Sequence, residues 1–335
     1  MLRGRWAVSR VVGCLCMVSS SLLWPVSEVQ GQFVHNGRVG CSSRGSPCSG
    51  CSFPKTVRVK IQRTNQVETV PLEDYVTRVV ASEMSDRYHP RALQMQALVA
   101  RTNIVHRIWR RCISAEPVST FDVPDSVQLE YKDLSFLRSR SRGSENLAKL
   151  LRVSAGAAEA TRGMMLVYRG QPINALFSSS NNGFTQASAD YFAGVPVPYL
   201  VSRRSEYEDP PVVQQDYAWV SFLSRLFPGI GSITPDDITH FCQGLVRNRS
   251  GYVRTARMRS HVLSGRQVRE RLGLRSSDFT CRILPGHNRV QFTVRGYGHG
   301  VGMSQYGVNL MAKKGKTLSE MVQQYYPGAN ISKFS

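Results

Sequence analysis

The run Gly296-Tyr297-Gly298-His299-Gly300-Val301-Gly302-Met303-Ser304-Gln305-Tyr306-Gly307 constrains this chain more than any other stretch. Five glycines in twelve residues exclude a stable helix interior and disfavour a strand, because glycine gives up the most backbone freedom on ordering. The spacing predicts a loop that bends sharply or passes very close to another part of the chain. It carries His299, Ser304, Gln305 and two tyrosines, and an amphipathic helix follows it. Polar side chains on a glycine-dense loop at a helix entrance suggest a binding or catalytic wall. A second segment far upstream, around Glu83, offers the acid that such a wall would serve.

The chain has 335 residues, 41% of them hydrophobic, enough for a full core and too apolar for a disordered chain. Its formal charge of +20, from 43 basic and 23 acidic residues, favours an anionic partner: nucleic acid, acidic lipid or an acidic polysaccharide. The N-terminus narrows that choice. Arg3, Arg5 and Arg10 precede the apolar run Val11 to Trp24, and Val29-Gln30-Gly31 suits cleavage. This is the pattern of a secretory signal over residues 1–31, and its apolar run falls short of the ~20 residues that span a bilayer. An exported chain, in the periplasm or cell envelope, meets envelope polymer and not nucleic acid. A membrane contact is expected only through the signal segment if it stays uncleaved.

Of eight cysteines, Cys14 and Cys16 lie in the signal. Cys41, Cys48, Cys51, Cys112, Cys242 and Cys281 remain, an even number compatible with disulfides whose pairing the sequence leaves open. Cys48-Ser49-Gly50-Cys51 has the spacing of half a zinc site, but no second half accompanies it. Residues 32–54, rich in Gly, Ser and Cys, read as a tether, and residues 55–335 as the folded domain.

Alternation over Lys55 to Ile61 predicts a strand, with a return over Val67 to Val70. Pro71 opens a helix whose Leu72, Tyr75, Val76, Val79 and Val80 form one stripe, with Glu83 just beyond it. Pro90 opens a second, largely apolar and so central helix. A hairpin is expected over Met164 to Tyr168 and Ile173 to Phe177, turning at Arg169-Gly170. Asp209-Pro210-Pro211 reads as linker, with a short helix from Tyr217. Strands are expected in Val253 to Val262 and Val290 to Val294. Thr317-Leu318-Ser319-Glu320 is a capping box for a helix to about Tyr326. Without regular βαβ alternation, the class is α+β: a mixed, largely antiparallel sheet packed with a central helical hairpin.

Glu83 ends an apolar helix. Partial desolvation would favour its neutral form, as a general acid near neutral pH requires, and the competing reading is a solvated last-turn glutamate. Arg101 on the central helix needs a partner, either a core carboxylate or an anionic substrate group. Glu73 and Asp74 fit the first helical turn as favourable charges. Ser304 is not in a nucleophile elbow. Gln305 and Tyr306 suit hydrogen bonding to and stacking on a sugar.

These motifs, in order, resemble the stage II sporulation protein D (SpoIID) and LytB family. The resemblance rests on Pro71-Leu72-Glu73-Asp74-Tyr75-Val76, Val79-Val80-Ala81-Ser82-Glu83-Met84, Ala92-Leu93-Gln94-Met95-Gln96-Ala97 with Ala100-Arg101-Thr102, the Gly298–Gly307 run and Tyr325-Tyr326-Pro327-Gly328. It implies a lytic transglycosylase acting on peptidoglycan glycan strands, with Glu83 as the single catalytic acid/base and no cofactor. It also implies substrate contacts from Arg101, Ser179, Ser180, His299, Ser304, Gln305 and Tyr306. A basic groove with Arg101 would meet the lactyl carboxylates of stem-peptide-free strands. In the LytB branch the implied alternative is a non-catalytic enhancer of a cell-wall amidase. Two departures stand out. Pro124 in Phe121-Asp122-Val123-Pro124 occupies the place of a cysteine in relatives with a metal cluster, so no metal is expected. Ser178 and Asn182 replace a histidine and a glycine in the serine run.

Overall fold

A computed structural model describes residues 53–114, 119–125, 131–132, 134–140, 144–284, 286 and 288–334. The expected signal, nearly all of the tether, and Cys41, Cys48 and Cys51 lie outside these residues. Strand β1 (Thr56–Ile61) buries Val57, Val59 and Ile61 and pairs antiparallel with β2 (Gln66–Pro71), from Thr56↔Pro71 to Ile61↔Gln66. Pro71 ends the strand and caps helix α1 (Leu72–Glu83), since its fixed φ suits a helix entrance and it lacks an N–H to leave unpaired. The stripe of Leu72, Tyr75, Val76, Val79 and Val80 is buried, and Glu83 is the last helical residue. Helix α2 (Pro90–Ile113) is capped by His89, whose Nδ1 accepts the Arg91 N–H at 3.2 Å. It is buried on most sides and runs through the middle of the larger core.

Strand β3 (Val123–Pro124) joins β1 in parallel, and helices α3 (Leu134–Arg140) and α4 (Ser144–Ala160) cover α1. Strand β4 (Met164–Tyr168) turns into β5 (Gln171–Pro172). The return strand expected over Ile173 to Phe177 is not formed: ladder pairing stops at Pro172. Helix α2 takes the carbonyls instead, with His106 Nδ1 at 2.8 Å from Pro172 O and Asn103 Nδ2 donating to Ala175 O at 3.0 Å. The chain thus peels away into β6 (Phe177–Ser178) and helix α5 (Ser188–Phe192).

After Asp209-Pro210-Pro211 comes a strand the sequence did not announce, β7 (Val212–Ala218), and the short helix expected from Tyr217 forms as α6 (Trp219–Leu226). They open a second apolar cluster, completed by α7 (Pro235–Gln243), β8 (Val246–Arg247), β9 (Val253–Met258), β10 (His261–Ser264), α8 (Gly265–Leu272), β11 (Asp278–Leu284) and β12 (Arg289–Arg295). A Cys242–Cys281 disulfide ties α7 to β11. The chain then re-enters the larger core through β13 (Met303–Ser304), α9 (Gln305–Lys313), α10 (Leu318–Tyr325) and β14 (Asn330–Lys333). The capping box at Thr317 and Glu320 forms as expected. The fold is α+β, with its antiparallel pairing spread over small three-stranded sheets and one parallel pair of short strands beside them. No helix among the described residues is long and apolar enough to cross a membrane.

Arg101 decides how the larger core is assembled. Its side chain is fully buried. Nε and Nη2 grip Glu73 at 3.0 and 2.5 Å, Nη2 also donates to Ala158 O at 2.9 Å, and Nη1 donates to Thr161 Oγ1 and Met164 O at 3.1 and 3.2 Å. A guanidinium has five N–H donors, and each is used inside the fold. This corrects the expectation that Arg101 meets substrate: its partner is the core carboxylate Glu73, and the pair fixes α1, α2, the end of α4 and the start of β4 together. Removing one partner of such a buried pair strands the other's charge. Arg101→Met is therefore expected to lower the unfolding free energy by about 3–5 kcal/mol, read from urea denaturation; a change within error would show that the pair does not organise the core.

Candidate functional site

Glu83 projects from the end of α1, half-buried. Its Oε2 accepts a hydrogen bond from Gln305 Nε2 at 3.2 Å, and the same nitrogen lies 3.3 Å from Gln96 Oε1 on α2. Gln305 is the first residue of α9, directly after the glycine run, and is 2% exposed. One buried amide thus joins two segments more than two hundred residues apart. The loop between α1 and α2 is pinned to α9 as well: His89 N–H donates to Asn309 Oδ1 at 2.8 Å, and Arg91 Nη1 donates to Gly315 O and Lys316 O at 3.1 and 2.9 Å. Tyr88 on this loop lies within electrostatic reach of Tyr306 and Glu208.

The glycines are explained by close approach. A Cβ on Gly302 (φ 74°) would stand 2.0 Å from Leu176 O, and one on Gly298 would stand 2.3 Å from Ser178 Cβ. The loop is laid on the serine run: β13 pairs in parallel with β6, Ser180 and Tyr297 exchange N–H···O bonds at 3.0 and 2.9 Å, and Tyr306 N–H donates to Ser179 O at 2.9 Å. The expected bend is therefore a wall of two segments.

Several expected substrate contacts fall inside this wall. His299 Nδ1 accepts the Val301 N–H at 2.9 Å, and the ring packs against Tyr191 and Phe192. Burial first, then the charges of Arg269 and Arg266, push its pKa down to about 3. His299 is a neutral lock on the loop through Nδ1, and its ring is half-buried, as Ser179 and Tyr306 are. Ser304 is fully buried and caps α9, its Oγ accepting Gly307 N–H at 3.0 Å. Its hydroxyl shapes the helix entrance and does not face substrate. Ser180 is likewise buried, its Oγ without a partner. Ser179 and Tyr306 are half-buried at the surface of the wall. Among the described residues no cluster of three or more His, Cys, Asp or Glu could hold a metal ion; residues 126–129 of the run compared with metal-binding relatives lie outside them.

Two residues escaped the sequence reading. Gln96 is a fully buried amide in an apolar helix, and that mismatch was its available signal. Glu208, next to the supposed linker, gave none. Its Oε2 accepts the Asn181 N–H at 3.2 Å, and burial raises its pKa to about 7.

The chain matches the family model described as SpoIID, stage II sporulation protein, over residues 60–168. It is 37% identical to stage II sporulation protein D of Bacillus amyloliquefaciens over 285 residues, 82% of this chain and 79% of that protein. The protein of the same description from Bacillus subtilis (strain 168) is 34% identical over 322 residues, 90% of this chain and 89% of the relative. An amidase enhancer from the same strain is 23% identical over 229 residues, 53% of this chain and 32% of its own length.

The depressed histidines give a pH signature. Burial pushes His299 down to about 3 and His106, on α2, down to about 4, both below the ordinary 6.5. Below about 6.5 the unfolded chain binds protons that the folded chain refuses, so stability falls with pH until each folded pKa is reached. Glu208, raised from 4.5 to about 7, acts in the opposite sense across that interval, so the comparison is made between wild type and variant. His299→Gln is expected to flatten the loss of urea midpoint between about pH 6.5 and 4; an unchanged slope would show that His299 takes up its proton in the folded chain.

Proposed function

The chain belongs to the stage II sporulation protein D family, and from that premise we propose that it is a lytic transglycosylase of peptidoglycan. It would cut the MurNAc–GlcNAc bond of glycan strands and leave 1,6-anhydro-MurNAc ends. In this reading residues 1–31 export the chain to the cell envelope, 32–54 tether it, and 55–335 carry the activity in wall remodelling during sporulation or division.

The observation that supports the reading most is the 3.2 Å bond from Gln305 Nε2 to Glu83 Oε2. It brings the half-buried carboxyl against the glycine-loop wall, and the donor fixes its orientation. Glu83, protonated, gives its proton to the glycosidic oxygen as the bond to C1 breaks. The resulting carboxylate takes the proton of the muramic acid's own C6 hydroxyl, whose oxygen closes onto C1. The carboxyl ends protonated as it began, so one residue serves as acid and then as base. Because the substrate supplies the nucleophile, the second carboxylate of an ordinary glycosidase is not required.

With Arg101 committed to Glu73, the preference for stem-peptide-free strands rests on the general positive charge and not on that residue. The half-buried Ser179 and Tyr306 are the expected sugar contacts, while the buried Gln305 amide, committed to Glu83 and Gln96, serves to hold the carboxyl. The similarity to an amidase enhancer supports a second reading, in which the same wall grips glycan for a partner N-acetylmuramoyl-L-alanine amidase without cutting it.

Glu83→Gln separates the two. The transglycosylase is expected to lose anhydro-end formation on peptide-stripped glycan by about a hundredfold or more, followed by mass spectrometry, with glycan binding retained. A variant that makes anhydro ends at the wild-type rate would refute the assignment. A wild type that makes none, yet stimulates an amidase as well as its Glu83→Gln variant does, would favour the enhancer.

A further inference from the structure

Glu208 has no part in the chemistry above, yet it occupies a demanding position. It lies on the segment that leaves the larger core for β7, and its carboxyl is turned back against the entrance of α9. Oε2 accepts the Asn181 N–H from the serine run at 3.2 Å. Oε1 is buried without a well-formed hydrogen bond, although the Ser304 and Ser205 hydroxyls lie close enough to stabilise the charged form. Burial, and after it the charge of the carboxyl, helps hold the Tyr88, Tyr252 and Tyr325 phenols in their neutral form. Gly307 gives the room: a Cβ there would stand 2.0 Å from the Tyr325 hydroxyl and 2.9 Å from Glu208 Oε1. The amide of that same Gly307 is capped by Ser304.

The contacts form a chain. Glu208 touches the serine run through Asn181 and lies against Gly307, whose amide Ser304 caps, in the first turn of α9. The residue after that cap is Gln305, whose amide reaches Glu83. An unpaired buried carboxylate oxygen costs stability, and little in the larger core requires one at this place. What the position does supply is a rigid join between the serine run and the first turn of α9, at the point from which Gln305 projects.

We propose that Glu208 is a positioning residue for Glu83: it holds the Ser304 cap and the first turn of α9 against the serine run, and thereby keeps Gln305 Nε2 on Glu83 Oε2. The kinetic consequence rests on the transglycosylase reading; the geometric content does not.

The test uses the full chain and its Glu208→Gln, Gln305→Ala and doubly substituted variants. Two readouts are taken: NMR titration of the Glu83 side-chain carboxyl, and kcat and KM for anhydro-end formation on peptide-stripped glycan. Glu208→Gln is expected to move the Glu83 midpoint by about half a pH unit or more and to lower kcat about tenfold with KM little changed. In the Gln305→Ala background the same substitution is expected to add nothing, because Glu208 acts through Gln305. An unmoved Glu83 midpoint, or independent additive losses in the double variant, overturns the proposal. Should Glu208→Gln fail to fold, Glu208→Asp, which keeps the charge and shortens the reach, is judged on the same two readouts and by the same criteria. A wild type that cuts no glycan would end the transglycosylase reading while the titration still judges Glu208.

Discussion

The five-donor grip of Arg101 is the contact on which the rest of the larger core depends. A guanidinium buried without solvent must have every N–H matched, and the matches here come from Glu73, Ala158, Thr161 and Met164. They lie on the first turn of α1, the end of α4 and the start of β4, so a single side chain on α2 indexes all of these pieces. The direction of α1 follows from where its first turn is held, and Glu83 is simply the other end of that rod, eleven residues from Leu72. A residue whose spacing suggested a substrate contact therefore bears on the site from a distance, by deciding where the carboxyl emerges.

The second constraint is close approach. Backbone can lie against backbone along Leu176–Ser180 only where Cβ atoms are missing on the facing loop, and Gly298 and Gly302 meet that condition. The insert spanning β7 to β12 has its own apolar cluster and meets this wall through polar contacts. Asn182 Nδ2 donates to Ser250 O and Asp278 Oδ2 at 2.9 and 3.0 Å, Gly298 N–H donates to Arg275 O at 2.8 Å, and Tyr252 donates its hydroxyl to Phe184 O at 3.0 Å. The insert thus holds the wall through Asn182, Gly298 and Phe184, and Glu208, on the chain entering it, bonds the same serine run at Asn181.

Much of this was legible in the sequence. Periodicity gave α1, α2, the first hairpin and the capped α10, because each buries one face with its own repeat. The glycine run declared a close approach, but not what it approached. Helix α4 was missed because Ser154-Ala155-Gly156-Ala157-Ala158 blurs the apolar stripe, and β7 because Gln214, Gln215 and Asp216 hide its alternation. At the site, Glu83 and Gln305 could be named in advance, but their bond could not, since it depends on how α9 is laid across α2. Arg101 carries a chemistry-bearing group, and only its partners distant in sequence reveal that it is spent inside the fold; His299 and Ser304 instead bond amides two and three residues on. Glu208 was invisible because its surroundings come from four separate segments.

In the transglycosylase reading, the nucleophile at C1 is the substrate's own C6 oxygen, admitted by a single carboxyl at position 83. Digestion of peptide-stripped glycan in water enriched in heavy oxygen, with mass spectrometry of the new ends, tests it most directly. Anhydro ends free of the heavy isotope are the predicted result. New reducing ends carrying one heavy oxygen per cut would mean that water attacks C1, and would contradict the account.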